Sequence, residues 1–600
     1  MLSTLTQEQS LILKAFASGD SFKVNAYAGT GKTFTLRALA EAHPNKRFLY
    51  VGFNRRIVEE ASAIFPTGYV HCKTAHQLAY AKVPSHVRER ITPDTRLLLK
   101  ALIQWVQTES HLGKFTEVSH VCEHVLLPAL HQFKQSDHGH IPALKALYPP
   151  ETLLEALQQQ GIKRYLQHLA KHPQCREKVS LPSDEKSFTP DTLEALALIG
   201  FQGILTRFWH AQFAPESTLP LDHDSYLKAW QLTHPKLPFY DAILFDEAQD
   251  ANPCMLSIVM AQTHCQKVVV GDRFQQLYAW RGAVNSLKTL DMPEYYLTQT
   301  FRFGASLATL STQVLQAIDP ETPPLSSALD GIAHTRGSTH TSIRRVNAEE
   351  YPRTVLCRTN AALLNYYLQY YESCHIEIVG REEFTMASEL EGHFRAFKRL
   401  DETAWKALKL ETKEETPQSF KLMLWVEKHQ AMIPEVLKHL KQSAKRKTTQ
   451  TPSEQSRKKP RKAVVLSTVH QAKGLEWDYV VLGDDFKTDS HDELNILYVA
   501  LTRAKRVVDV SDCSALDALG ITLPTFETTP SNATKPNDSP LIKVSATLNH
   551  LPSRPVSKAS STKPKASIQR KTPVPSPSQA PSTKGMPVSN TRSKTRVIQY

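Results

Sequence analysis

Apolar residues along this chain fall into a repeating pattern. Short continuous apolar runs end in small or polar residues, and apolar positions spaced three and four apart follow. That is the signature of a buried parallel strand feeding a helix. Residues 24–35, VNAYAGTGKTFT, make one such unit: a strand ending at Asn25, a tight loop, and a helix from about Lys32. A helix opens at LTQEQ (residues 5–9) and ends around Ser18. A strand over 46–53 leads into a helix over 55–63, and residues 71–80 form another strand-to-helix junction. From 82 to about 220 the spacing is helical, as over 95–106 and 152–169. Strands resume with YDAILFDEAQD from Tyr240 and again over 267–283. A second series covers 296–303, 354–360, 463–481 and 494–510, with a mainly helical stretch between 380 and 440.

This pattern predicts an α/β chain with parallel sheets and helical insertions. The first α/β domain takes residues 1–81 and 221–290, around a helical insertion at 82–220. The second takes 291–380 and 463–515, around a small helical insertion at 381–440 and a basic linker at 441–462. Beyond 523 the chain is rich in Ser, Thr, Pro and Lys and lacks periodicity, which predicts a disordered tail.

Charge sharpens that division. Of the net charge of +13, residues 441–462 carry +8 and residues 539–600 carry +11, which leaves the rest at −6. The folded body is therefore not basic, and any nucleic-acid binding by it must come from local grooves. No run approaches the ~20 apolar residues of a membrane span, and the N-terminus lacks a signal-peptide pattern. No membrane partner is expected. The eight cysteines form no CxxC pair, so neither a zinc site nor a disulfide framework is indicated.

Candidate chemistry collects at the strand ends. The loop AYAGTGKT, residues 26–33, fits a phosphate-binding loop with Ala26 in the first glycine position. Gly29, Thr30 and Gly31 bring backbone N–H groups toward a polyphosphate, Lys32 can reach the β- and γ-phosphates, and the Thr33 hydroxyl can ligate Mg²⁺. The strand before Asp246 and Glu247 delivers two acids to a sheet edge. Asp246 is placed to hold Mg²⁺, and Glu247 to orient and deprotonate water. Gln275 is suited to sensing a γ-phosphate. Tyr278, Trp280 and Arg281 follow it, interleaving aromatics with a cation as single-strand binding surfaces do. Taken alone, such aromatics are more often core residues. ATP and Mg²⁺ are the expected cofactors.

Taken in order, these stretches resemble a superfamily 1 helicase of the UvrD/Rep group, from residue 5 to about 510. LTQEQ resembles its Q motif, which implies that Gln9 reads adenine. GFN (52–54) and TAHQLAY (74–80) resemble DNA-contacting motifs, which implies DNA contacts at Phe53, Asn54, Thr74 and His76. QTFRF places Phe301 at the base-stacking position and Arg302 at a γ-phosphate position. TVHQAKGLEWDYV places Glu476 at the ribose and His470 near DNA, and YVALTRAK makes Arg503 the second γ-phosphate arginine. Arg358, at the end of the strand in 354–360, is a further candidate DNA contact.

The resemblance implies two RecA-like motor domains and 3′-to-5′ movement on single-stranded DNA, in repair, recombination or replication-fork processing. In detail it is nearest to the F-box DNA helicases, through VGFNRRIVEEA, HCKTAHQLAY and HDSYLKAWQL. Two departures stand out. Nothing precedes the Q motif, so no F-box is expected. Phe34 stands where UvrD relatives usually carry Arg.

Two rival classes are a DNA-stimulated ATPase switch without processive unwinding, and a scaffold acting through its tail. The expected partners are single-stranded DNA and duplex junctions, with protein partners through the tail. The expected location is intracellular: the cytoplasm or nucleoid in a bacterium, the nucleus in a eukaryote. The basic runs at 445–447 and 457–462 read equally as nuclear-import signals or as a solvated linker touching phosphates.

Overall fold

The computed structural model describes residues 5–109, 116–142, 190–277, 285–329, 341–379, 382–415, 417–449 and 462–521. Two six-stranded sheets organise these residues, and every strand pairing in both is parallel.

The first sheet runs, edge to edge, Val70–Lys73, Phe48–Val51, Ala242–Phe245, Gln266–Gly271, Phe22–Ala26, Glu294–Leu297. Its central strands are buried along their whole length, as expected of strands covered by helices on both faces. One face packs on the helices Gln7–Ala17, Lys32–Ala42 and Arg55–Ile64. The other face shares a single core with the helical insertion: Leu49, Ile243 and Phe245 lie in one cluster with Leu102, Phe133 and Phe208. The expected insertion therefore has no separate core among the described residues. The expected helix at 152–169 lies outside them.

The second sheet runs His375–Ile378, Ala463–Thr468, Arg353–Cys357, Trp477–Leu482, Ala504–Asp509, Ser342–Ile343. The small insertion folds as the helices Glu382–Arg399, Glu402–Glu415, Pro417–Lys428 and Ile433–Thr449. It packs Leu390, Trp425 and Leu440 against Val355 and Leu466 of this sheet.

Three boundaries differ from the expectation. Residues 294–297, assigned to the second domain, are an edge strand of the first sheet, because Leu297 enters that sheet's core and Tyr295 packs edge-on to Phe22 at 5.1 Å. Residues 494–501, taken as sheet, belong to the helix His491–Leu501. The run LNILYVAL is buried on all sides, and such a run cannot be told from a buried strand by periodicity. The first part of the basic linker is helical, since Ile433–Thr449 continues into it and Lys441 pairs with Glu391 at 2.6 Å. The remaining linker, 450–461, and the tail beyond 521 lie outside the described residues. No described helix is long and apolar enough to cross a membrane.

Candidate nucleotide site between the two sheets

The strand Phe22–Ala26 ends in a loop whose backbone needs glycine twice. Gly29 and Gly31 have φ of 74° and 80°. A Cβ on Gly29 would also lie 2.5 Å from the Arg302 Cβ and 2.6 Å from the Thr300 Oγ1. Thr30 is buried and donates its hydroxyl to the Tyr27 carbonyl at 2.8 Å, which closes the turn. The helix Lys32–Ala42 then starts with its N-terminus facing a cavity of about 540 Å³.

The acids enter from the strand Ala242–Phe245. Asp246 accepts the Tyr50 hydroxyl at 2.6 Å and the Glu247 N–H at 2.8 Å. Burial and the adjacent Glu247 raise its pKa, so a cation beside it would relieve a real cost. Glu247 has φ of 54°, a strained value for a residue with a side chain. Its carboxylate meets Lys32 Nζ at 2.9 Å. Burial pushes its pKa up, but Lys32 and Lys473 outweigh burial and hold it below the usual range. Gln275 is buried in the loop after the strand Gln266–Gly271, and lines the same cavity.

The opposite wall comes from the second sheet's side. Arg302 donates to the Thr502 carbonyl at 3.0 Å and pairs with Glu476 at 2.5 Å, while its Nε has no partner among the described residues. Arg503 is 1% exposed, with its guanidinium held by the Val499 carbonyl at 2.9 Å and the Thr502 hydroxyl at 3.1 Å. Burial, and then the neighbouring Arg302, lower its pKa to about 9. One cavity thus gathers Gly29, Thr30, Gly31, Lys32, Thr33, Asp246, Glu247, Gln275, Phe301, Arg302, Glu476 and Arg503.

A base subsite adjoins it. Gln9 caps the first helix: its Oε1 accepts the Thr6 N–H at 3.0 Å, and its N–H returns to the Thr6 hydroxyl at 3.1 Å. The Gln9 Nε2 is buried without a partner among the described residues, 3.3 Å from where a Gly31 Cβ would sit. The Phe301 ring, 45% exposed, edges the same point. An unmatched donor beside an open aromatic face fits a heterocyclic base. Ala26 is fully buried as the last strand residue, so it shapes the loop from behind. Phe34 lines the cavity and is exposed.

Two family models match this chain. Residues 5–292 match the UvrD/REP helicase N-terminal domain, and residues 463–509 match the UvrD-like helicase C-terminal domain. The chain belongs to the UvrD-like helicases. It is 29% identical over 542 residues to F-box DNA helicase protein 1 of Schizosaccharomyces pombe, covering 85% of this chain and 57% of that one. It is 28% identical over 550 residues to F-box DNA helicase 1 of Gallus gallus, covering 84% and 49%. A probable DNA helicase II homolog of Mycoplasma pneumoniae is 32% identical over 89 residues, 13% of this chain and 12% of that one. The chain spans about half the length of the two F-box helicases it matches.

The expected DNA contacts stand differently. Asn54 caps the helix Arg55–Ile64 through the Ile57 N–H at 3.0 Å, and with Phe53 it borders the same cavity. Thr74 is buried as the cap of the helix Ala75–Tyr80. His76 holds Asp224 at 3.1 Å. Arg358 makes a two-pronged pair with Glu493, both bonds 2.8 Å. That carboxylate holds two of its nitrogens, so a DNA phosphate at Arg358 would compete with Glu493. His470 lies in the short helix Val469–Ala472. Tyr278, Trp280 and Arg281 lie outside the described residues.

Lys473, Asp250 and Tyr50 also line the cavity and were not picked out from the sequence. Lys473 lines the cavity from the second sheet's side and donates to both Asp250 and the Gln275 carbonyl, the latter at 2.5 Å. Asp250, the last acid of DEAQD, is its partner and also lines the cavity. Tyr50 holds Asp246 from the neighbouring strand. The signal for Lys473 was its place before Gly474, whose φ of 80° turns the chain at the cavity edge.

Proposed function

We propose that this chain is an ATP-dependent DNA helicase that moves 3′-to-5′ on single-stranded DNA and opens duplex junctions in repair, recombination or fork processing. The observation that carries the reading is the composition of the cavity. Lys32, Thr33, Asp246, Glu247 and Gln275 reach it from the first sheet and Arg503 from the second, and Arg302, which follows the short strand Gln299–Thr300, is held on the second side by Thr502 and Glu476. A site split in this way is complete only when both halves meet over the nucleotide. The relatives named as DNA helicases support DNA as the track.

In this reading the phosphate loop and Lys32 hold the triphosphate, with Gln9 and Phe301 on the base and Glu476 on the ribose. Thr33 and Asp246 would hold Mg²⁺, which supplies charge neutralisation on the β- and γ-phosphates. Lys32 leaves Glu247 for phosphate oxygens, which frees Glu247 to align water and take its proton. Gln275, Arg302 and Arg503 face the γ-phosphate and stabilise its charge. Loss of that phosphate releases the arginines and lets the halves part, and repeated closing and parting steps the chain along DNA.

The test is ATP hydrolysis and strand separation on duplexes with 3′ or 5′ single-stranded tails. Unwinding of the 3′-tailed duplex alone supports the reading. DNA-stimulated hydrolysis with no unwinding of either substrate would replace it with a remodelling switch.

A further inference from the structure

The apolar core beneath the nucleotide cavity runs across the boundary between the two sheets. Tyr27, Ala28 and Phe274 from the first side pack in one cluster with Phe303, Leu497 and Tyr498 from the second. The Phe274 and Tyr498 rings meet edge-on at 6.4 Å. Tyr498 is fully buried there, yet it carries a hydroxyl with two partners. The oxygen accepts the Ala28 backbone N–H at 3.0 Å, and the hydroxyl donates to Asp272 Oδ2 at 3.0 Å.

Each partner leads into the catalytic apparatus. Ala28 directly precedes Gly29 of the phosphate loop. Asp272 starts the turn that carries Gln275: its side chain accepts the Phe274 N–H at 3.1 Å and its carbonyl accepts the Gln275 N–H at 2.9 Å. Tyr498 itself sits on the helix His491–Leu501, which runs directly into Arg503. One oxygen therefore touches the phosphate loop, the Gln275 turn and the Arg503 helix. Packing does not need that oxygen, because a phenyl ring would fill the same apolar space. A buried hydroxyl is tolerable only through its bonds.

We propose that Tyr498 is a positioning residue whose hydroxyl locks these three segments together, so that Gln275 and Arg503 reach the γ-phosphate in register with the phosphate loop. The proposal rests on the reading of the cavity as an ATP-hydrolysing site. It predicts a loss in the chemical step rather than in nucleotide binding, since Tyr498 does not line the cavity.

The test uses the full chain with Tyr498→Phe, which removes one oxygen and keeps the ring. DNA-stimulated kcat should fall about tenfold, with the KM for ATP changed by less than about threefold. Asp272→Asn weakens the same link from its other end and should show the same kcat-selective loss. The double variant should be no slower than the slower single one, because both cut one connection. Wild-type kcat in Tyr498→Phe, or losses that multiply in the double variant, overturns the proposal. If Tyr498→Phe does not fold, Asp272→Asn decides alone, and an unchanged kcat or a loss confined to KM overturns it. A wild-type chain that hydrolyses no nucleotide overturns the reading of the cavity, and this proposal with it.

Discussion

Lys473 reaches from the second sheet's side to Asp250, which belongs to the first. Asp250 is buried, its other carboxylate oxygen has no partner among the described residues, and burial pushes its pKa up to about 6 against the pull of Lys473. The same ammonium holds the Gln275 carbonyl. One cation thus ties an acid of the first half and the main chain of the candidate γ-phosphate sensor to the loop that follows His470.

Removing that cation should strand a buried charge. Lys473→Met is expected to destabilise the fold by roughly 3–5 kcal/mol at neutral pH, the usual cost of breaking one side of a buried pair. The raised pKa sets the direction with pH. Folded Asp250 binds its proton more tightly than the unfolded chain does, so its ionised form carries a cost above about pH 6 that fades as pH falls through that value. The variant should therefore recover part of its deficit between pH 7 and pH 5 in urea titrations. Asp250→Asn added to it should recover the same part at pH 7. A deficit equal at both pH values would mean that Lys473 acts through something other than Asp250.

Glu247→Gln is expected to bind ATP and lose turnover by roughly 10²–10⁴-fold, the range of a lost general base. The Lys32–Glu247 bond of 2.9 Å can survive as a neutral contact, since the Gln carbonyl still accepts from Lys32. Nucleotide affinity should accordingly stay near wild type. Equilibrium binding of a labelled nucleotide beside steady-state hydrolysis separates the two effects. Normal turnover would remove Glu247 from the mechanism.

The gathering of the phosphate loop and the two acids at one cavity was legible in the sequence, and the long-range partners of several polar residues were not. The phosphate loop and the DEAQD acids announce themselves because a strand, a turn and a helix must follow one another within a few residues. Lys32, Asp246 and Glu247 are therefore placed by local geometry alone. Gln9 was legible only through family likeness. The acidic partners of Arg358 and His76 were not legible, because a polar residue looks the same in sequence whether or not a distant acid claims it. Glu493 lies 135 residues beyond Arg358, and Asp224 lies 148 beyond His76. Lys473 and Tyr498 escaped for the same reason: their partners belong to the other half of the molecule. The run at 494–501 was misread because burial on every side removes the periodicity that distinguishes helix from strand.

His76 and Asp224 give a second pH signature. Burial acts to raise the Asp224 pKa, but the His76 bond and charge, with Lys134 behind them, lower it to about 2. The unfolded chain binds that proton first, so the pair's contribution is complete above about pH 4 and is lost as pH falls toward 2. Asp224→Asn should lower the melting temperature at pH 6, and the gap to wild type should narrow steadily below pH 4. A gap that persists unchanged to pH 3 would place the effect of Asp224 elsewhere.

Arg503 gives the sharpest test of the second half's part in the chemistry. Its guanidinium is buried and held by the Val499 carbonyl and the Thr502 hydroxyl, and it lines the cavity opposite Lys32. Burial and Arg302 together lower its pKa to about 9, so it stays charged at neutral pH only because a guanidinium starts so high. An arginine that meets a transferring phosphate contributes on the order of 10³–10⁵ in rate. Arg503→Ala should therefore cut kcat by that order while the KM for ATP moves far less. Arg503→Lys should not restore it. An ammonium is a point charge that cannot make the forked contacts, and it starts about three units lower, so the same burial drives it toward neutrality. Thermal melts should show both variants folded, since removing a buried cation beside Arg302 relieves repulsion. Recovery of full turnover by Lys would mean that charge alone matters at this position. Wild-type turnover in the Ala variant would mean that the second sheet's side binds nucleotide without taking part in its hydrolysis.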